Sequence, residues 1–246
     1  MRKDIIQLYI EFNKIRRLEW IKSLRNGPTG IGYTFETLLN KKEDCQRQPD
    51  YQGIEIKTIR YLSKRIIHLF NATPDGNIKN PIKEITNKIG YPDKIYPKYK
   101  VFHATAYANV DSKIGYKIIR LYVNREKKRI DFIAKSIYGK DFNLNISWSF
   151  DMLKEALEKK KKKLAIIKAL TKKNNNSEFF YYKNIQFYEL KSFDEFINLI
   201  ESGIISVSFK ICVIKDKNNL IKTHDKGTDF SIAEKDISLL FNIIST

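Results

Sequence analysis

Residues 49–57 read PDYQGIEIK. Asp50, Glu55 and Lys57 place two acids and a base in a stretch that otherwise reads as a turn and a buried strand. Over residues 53–59 (GIEIKTI) apolar and charged residues alternate. That period of two puts Ile54 and Ile56 on one face of a strand and Glu55 and Lys57 on the other. Such a face is either a solvated sheet edge or a place where chemistry is done.

The chemistry it fits is phosphodiester cleavage. Pro-Asp followed by Glu-x-Lys on a strand resembles the signature of the PD-(D/E)xK nucleases. The reaction needs a divalent cation to neutralise phosphate charge and lower the pKa of bound water. Mg²⁺ takes hard oxygen ligands and keeps several waters, so the carboxylates of Asp50 and Glu55 suffice to hold it. Lys57, two residues beyond Glu55, shares its face, and its ammonium is placed to orient water and stabilise a charged transition state. A looser match, Pro92-Asp93 with Asp111-Ser112-Lys113, falls in an expected hairpin turn, where alternation cannot hold acid and base together.

The rest of the chain supports a polyanionic partner. Its 246 residues carry 46 Lys and Arg against 28 Asp and Glu, a formal charge of +18, and nucleic acid is the first candidate for such an excess. Hydrophobic residues make up 42%, enough for a sizeable core. Cys45 and Cys212 have no zinc-ligand spacing and fit a reducing compartment. No apolar run approaches the ~20 residues of a membrane span, and the charged N-terminus is unlike a secretory signal. A soluble cytoplasmic protein is expected.

Periodicity predicts a helix over 4–24, a glycine-rich break at 25–34, and a short helix carrying Phe35, Leu38 and Leu39, with Glu36 beside that apolar face. Strands follow at 53–59 and 65–71. Asn80 caps a helix from Pro81. Residues 101–108, 115–123 and 129–137 form an expected meander. SWSFDMLKEALEKKKKKL reads as a helix, 164–170 as a strand, and TKKNNNSE (171–178) as an exposed loop or connector. FFYYKNIQFYEL adds strand-like aromatics. Ser192 and Glu195 have capping-box spacing for a helix running to Gly203, and 204–214 is a buried strand. The Lys159–Lys163 run reads as a solvated helix face or a phosphate track. Gly30-Ile31-Gly32 fails as a phosphate loop, with Phe35 in place of a third glycine, and reads as a structural turn. Only His68, His103 and His224 are present, without metal-ligand spacing.

Three segments, GPTGIGYTFETLLN, PDYQGIEIKT and KTHDKGTDF, occur in the order and spacing of the MvaI/BcnI-type restriction endonucleases, relatives of the mismatch-repair nicking enzyme MutH. WSFD (148–151) also resembles that family. The resemblance runs from about residue 20 to 232. It implies an α/β fold: a mixed central sheet flanked by helices, with a PD-(D/E)xK core and two lobes around a DNA cleft. A catalytic lobe at 1–145 and a DNA-recognition lobe at 146–246 are expected. It further implies a Mg²⁺-dependent type II endonuclease, monomeric, cutting both strands of duplex DNA in successive events, with a partner methyltransferase protecting host DNA. Asp50, Glu55 and Lys57 take the catalytic positions, and Glu36 matches an additional acid.

Lys210, Lys222, Thr223, His224 and Asp225 fall in the expected DNA-facing part, with His224 a candidate base reader. A member that cuts CCWGG carries an Asp-x-Arg pair and a later Arg where this chain has Ser208, Lys210 and Ser231, so the chemistry transfers better than the specificity. The competing readings are a MutH-like nickase that needs activating partners and a non-catalytic nucleic-acid-binding module.

Overall fold

A computed structural model describes residues 3–39, 50–61, 66–175 and 177–245. In chain order the elements are α1 (Lys3–Arg16), β1 (Ile21–Lys22), α2 (Gly30–Leu38), β2 (Glu55–Arg60), β3 (Ile66–Asn71), α3 (Pro81–Ile89), β4 (Tyr91–Pro92), β5 (Lys100–Ala106), β6 (Ser112–Ile114), β7 (Lys117–Asn124), β8 (Arg129–Ser136) and β9 (Ile146–Ser149). They continue as α4 (Phe150–Lys161), β10 (Lys163–Asn174), β11 (Ser177–Leu190), α5 (Phe193–Glu201), β12 (Ile205–Lys215), β13 (Ile221–Asp225), β14 (Asp229–Ala233), α6 (Ile237–Leu240) and β15 (Phe241–Ile244). The expected mixed α/β class is present, with helices flanking sheets. Pro49 and Cys45 lie outside the described residues.

Packing divides the chain into two compact units. One comprises Met1–Ile67, Leu157–Lys191 and Ile237–Thr246; the other comprises His68–Ala156 and Ser192–Asp236. Each therefore draws on chain from both sides of the boundary at residue 145 that the sequence suggested.

In the first unit the strand order is β1-β11-β10-β2, with β15 on β11. β10 and β11 are antiparallel, whereas β2 runs parallel to β10, with Glu55 opposite Leu164 and Lys57 opposite Ile166. Ile5, Leu8, Phe12 and Ile15 recur at helical spacing and bury the inner stripe of α1. They join Ile31 and Phe35 of α2 and Ile54, Ile56, Ala165 and Ile167 of the sheet in one core. Tyr182 locks α2 to that core: its ring meets Phe35 at 5.0 Å and its hydroxyl donates to the Ile31 carbonyl at 2.8 Å.

Three expectations are corrected here. α1 stops at Arg16 rather than running to residue 24; Glu19 takes a left-handed φ of 54°, and Ile21–Lys22 pair with Phe180 and Phe179. The Gly-Ile-Gly segment is the first turn of α2, not a structural turn. A Cβ on Gly30 would lie 2.3 Å from the Arg25 carbonyl oxygen, and one on Gly32 would lie 3.2 Å from Thr58 Oγ1. The glycines permit close approach. TKKNNNSE is the tip of the β10–β11 hairpin rather than a connector, with Asn174 opposite Ser177 and Asn175 left-handed at φ 51°.

The second unit holds two sheets. One has the order β3-β14-β12-β5-β4, with β13 also on β12; the other is β6-β7-β8-β9. Strand 100–106 thus pairs with β12 rather than joining the meander, which β6 to β9 form instead. An aromatic core fills this unit: Phe209 lies 4.5 Å from Phe132 and 5.6 Å from Phe102, and Trp148 lies 5.7 Å from Phe230 (ring centroids). Burying Trp148 requires a partner for its N–H, which donates to the Ala72 carbonyl at 3.0 Å. SWS is therefore strand, and the helix predicted from it begins at Phe150. Both predicted caps are present: Asn80 Oδ1 accepts from Lys83 N–H and Ser192 Oγ from Glu195 N–H, each at 3.0 Å.

Candidate functional site

The site in the first unit grows from a two-residue turn. Tyr51 and Ile54 exchange backbone hydrogen bonds of 2.9 and 2.7 Å, while Gln52 and Gly53 take φ of 44° and 83°. Two successive positive φ values are the requirement of a type I′ hairpin turn, which glycine meets without strain. The turn folds Asp50 back beside β2. There its Oδ2 accepts the Ile56 N–H at 2.9 Å. β10 pairs with one side of β2, and β2 ends the sheet among the described strands. Asp50 thus sits along an edge without a paired strand.

Glu55 and Lys57 project from the same face, as alternation predicts, and Lys57 Nζ lies 2.7 Å from Glu55 Oε1. The Glu55 end of this face is buried, with Glu55 only 4% exposed, while the Lys57 side chain is partly exposed. Leu164, the register partner of Glu55, and the neighbouring Ile166 are fully buried on that face. α2 packs on the opposite face, so Glu36 approaches from the helix side. A Cβ on Gly32 would lie 3.6 Å from Glu36 Oε1, which sets that carboxylate close to the Gly32–Thr58 contact.

Electrostatics tie the four groups together. Burial pulls the Lys57 pKa down, but the carboxylates of Glu55, then Asp50, then Glu36 outweigh it and hold it above the ordinary lysine value. The ammonium therefore stays charged and donates hydrogen bonds rather than taking a proton. Three carboxylates around one ammonium leave excess negative charge on hard oxygen donors, which suits a divalent cation. Among the described residues, no group of three or more His, Cys, Asp or Glu is disposed to hold an ion. A Mg²⁺ that keeps its waters needs only one or two carboxylates, so Asp50 and Glu55 fit it.

Arg60 secures the loop before α2. Its Nε and NH2 donate to the two Glu178 oxygens at 3.1 and 3.0 Å, and NH1 donates to the Pro28 carbonyl at 3.1 Å. The looser motif is dispersed: Asp93 Oδ1 accepts from the N–H groups of Ile95 and Tyr96, whereas Ser112 and Lys113 begin β6.

In the second unit β12 alternates cleanly. Ile205, Val207, Phe209 and Ile211 enter the core; Ser206, Ser208, Lys210 and Cys212 take the other face. Register adds Thr105 and His103 from β5, Asp229 and Ser231 from β14, and His224 and Lys222 from β13. Of the predicted DNA-facing residues, Lys210, Lys222 and His224 thus share a face. Thr223 and Asp225 alternate to the other side, and Asp225 Oδ1 caps a turn by accepting the Gly227 N–H at 2.9 Å.

Sequence reasoning missed a polar cluster on that face. Asp229, 2% exposed, receives His68 Nδ1, Lys210 Nζ at 3.2 Å and Ser231 Oγ at 2.9 Å. Burial raises the Asp229 pKa, but the His68 hydrogen bond and charge, with Lys210 and Ser231, bring it below the ordinary value. Asp229 stood inside the KTHDKGTDF segment, but nothing local to it points to His68. No helix among the described residues is long and apolar enough to cross a membrane.

The MvaI/BcnI restriction endonuclease family matches the chain over residues 10–241. The solved structure of the restriction endonuclease MvaI in complex with cognate DNA substrate is similar at a TM-score of 0.91 and 26% identity, covering 99% of this chain and 98% of that one. MvaI in the absence of DNA matches with the same identity and coverage at a TM-score of 0.64. A search of curated proteins gives no match.

Proposed function

Because the chain belongs to the MvaI/BcnI restriction endonuclease family and is a site-specific deoxyribonuclease, we propose that it is a type II enzyme hydrolysing both strands of duplex DNA at a short site with Mg²⁺. The observation that carries this reading is the Glu55–Lys57 pair at a buried strand edge, with the Asp50 and Glu36 carboxylates acting on the same ammonium. The solved complex of MvaI with cognate DNA supports duplex DNA as the substrate.

Asp50 and Glu55 would hold the cation, which when bound supplies a Lewis acid to the scissile phosphate and acidifies water. Lys57 stays protonated and directs its N–H groups at the attacking water and the phosphate oxygens. Glu55, tied to Lys57 at 2.7 Å, fixes where that ammonium points. Glu36 adds negative charge from the far side of the edge, tuning Lys57 and accepting from water. The burial of Leu164 and Ile166 beside Glu55 lowers the local dielectric, which strengthens each of these interactions.

Lys210, Lys222 and His224 are assigned to DNA contact from one sheet face, with Thr223 alternating to the other side of β13 and Asp225 capping the turn after it. The net charge of +18 supplies non-specific affinity that falls steeply with salt. The enzyme is proposed to act as a cytoplasmic monomer beside a methyltransferase that protects the same site.

The deciding experiment is digestion of a plasmid of known sequence by the purified protein with Mg²⁺, with the fragment ends mapped. Double-strand cuts at one short sequence are expected, and Lys57→Ala should abolish cleavage while leaving DNA binding intact. Lys57→Ala cutting at the wild-type rate would overturn the active-site assignment. Nicking that needs added partners would favour a MutH-like role.

A further inference from the structure

Rings and charges on the outer face of the β10–β11 hairpin serve neither the core nor the proposed cutting site. Phe180 and Tyr182 of β11 are fully buried in the core of the first unit. Phe179 and Tyr181 alternate to the other face. There Phe179 lies between Lys22 of β1 and Lys172 of β10, its register partners on either side. Tyr181 lies between Trp20, with ring centroids 6.0 Å apart, and its register partner Leu170. The Lys172 ammonium sits 4.2 Å from the Trp20 ring centroid and 5.9 Å from that of Phe179. Lys22 and Lys172 are exposed, and Trp20 is 36% exposed. Glu178, next to Phe179 in the chain, turns to the opposite face, where Arg60 holds both its oxygens. A strip of exposed cations and rings without a carboxylate is complementary to a polyanion.

We infer that this strip is an accessory contact for the backbone of duplex DNA flanking the cut. The inference rests on the reading of Glu55 and Lys57 as the cutting residues. Lys57 pairs with Ile166 of β10, and Ile166, Lys168, Leu170 and Lys172 alternate along one face of that strand. The strip therefore continues the sheet face that carries Glu55 and Lys57. From Ile166 to Lys172 the strand advances about 20 Å, at about 3.3 Å per residue. At about 3.4 Å per base pair, that distance spans about six base pairs of duplex.

The chemistry favours phosphates over bases. A base-stacking platform offers open ring faces. Here the Lys172 ammonium sits over Trp20, and Tyr181 packs beside the indole. The rings instead hold the ammonium at the sheet surface, so it loses less rotamer freedom than an unbraced lysine on meeting a phosphate. Such a contact carries no sequence information and adds affinity outside the recognised sequence.

The test uses the full-length protein without metal and duplexes centred on the mapped cleavage sequence, with flanks of about 3 or about 15 base pairs. Wild type is compared with Lys22→Ala/Lys172→Ala, which removes two exposed side chains. Wild type should bind the long duplex more tightly than the short one. The double variant should lose about tenfold in affinity for the long duplex, with little change on the short one, and its salt dependence on the long duplex should flatten by about 1.8 in log–log slope. Trp20 reports directly, because the other tryptophan, Trp148, is fully buried. The long duplex should shield Trp20 from iodide quenching, and the short one should not. With Mg²⁺, the double variant should cut the short duplex at the wild-type rate. An unchanged flank gain, equal losses on both duplexes, or Trp20 left open to iodide would each overturn the inference. Loss of single-strand binding in place of duplex binding, or a changed oligomeric state by light scattering in place of either, would overturn it as well. Absence of any cleavage by wild type would overturn the nuclease reading itself, whereas cutting with an unaltered flank gain would overturn this inference alone.

Discussion

Removing the Lys57 ammonium should do more than stop catalysis. At 2.7 Å and an effective dielectric near 20, its attraction to Glu55 is roughly 6 kcal/mol gross. Dehydration of a carboxylate 4% exposed offsets much of that. Lys57 itself is about one-third exposed, so water screens part of the remainder. A net loss of about 2–3 kcal/mol is expected for Lys57→Met in the absence of metal, because the buried Glu55 loses the ammonium beside it while the charge of Asp50 remains. Glu55→Gln should cost about 1 kcal/mol or less, since the partly exposed ammonium keeps some water and has Asp50 and Glu36 as further counter-charges. The double variant should return to within about 1 kcal/mol of wild type, giving a coupling of about 2 kcal/mol. Urea unfolding of all four proteins without Mg²⁺ measures the cycle. Strictly additive single effects would refute the claim that the pair is a coupled buried unit.

Other consequences can be checked one residue at a time. Gly32→Ala places a Cβ 3.2 Å from Thr58 Oγ1 and 3.6 Å from Glu36 Oε1, so the Thr58 side chain or α2 must give by a few tenths of an ångström. Cleavage should fall about tenfold with DNA affinity unchanged, as gel-shift and single-turnover assays would show. Lys222→Ala should flatten the salt dependence of DNA binding by about 1 in log–log slope if this exposed lysine meets a phosphate. Asp229 has a folded pKa below its ordinary value of 3.8. The unfolded chain therefore binds more protons between the two values, and the stability Asp229 adds is present above 3.8 and lost as pH falls through the folded value. Acid unfolding of Asp229→Asn should lack that part of the wild-type pH dependence. Asn80→Ala should lower stability by about 1 kcal/mol through loss of the Lys83 cap, measured by thermal unfolding.

What was legible in the sequence was local. The alternation of Ile54, Glu55, Ile56 and Lys57 fixed which side chains share a face, and the caps at Asn80 and Ser192 marked true helix starts. These signals need only a few consecutive residues. Strand partnership does not: residues 100–106 look like part of a meander, but their partners on β12 come a hundred or so positions later. The glycines of α2 looked like loop because their reason, the closeness of Arg25 and Thr58, is tertiary. TKKNNNSE looked like loop because its polarity concealed a hairpin whose ladder extends from the aromatic strands behind it. Within the candidate site, Asp50, Glu55 and Lys57 announce themselves through spacing. The burial of Glu55 does not, since it depends on Leu164 and Ile166 of a distant strand. His68 and Asp229 meet from β3 and β14, so a periodicity search sees each as a lone polar residue.

The parallel pairing of β2 with β10 also bears on how the enzyme is made. Residues 68–156, most of the second unit, are inserted in the chain between those strands. A ribosome releases Asp50, Glu55 and Lys57 early, yet Glu55 finds its register partner Leu164 only after that insertion has been synthesised. Until then β2 has no neighbouring strand, and a closure spanning so long a loop is slow to find. A nascent or prematurely terminated chain therefore carries Asp50, Glu55 and Lys57 without the sheet that aligns them. Assembly of the proposed cutting site therefore waits on most of the second unit, and a chain that stops before β10 cannot build it.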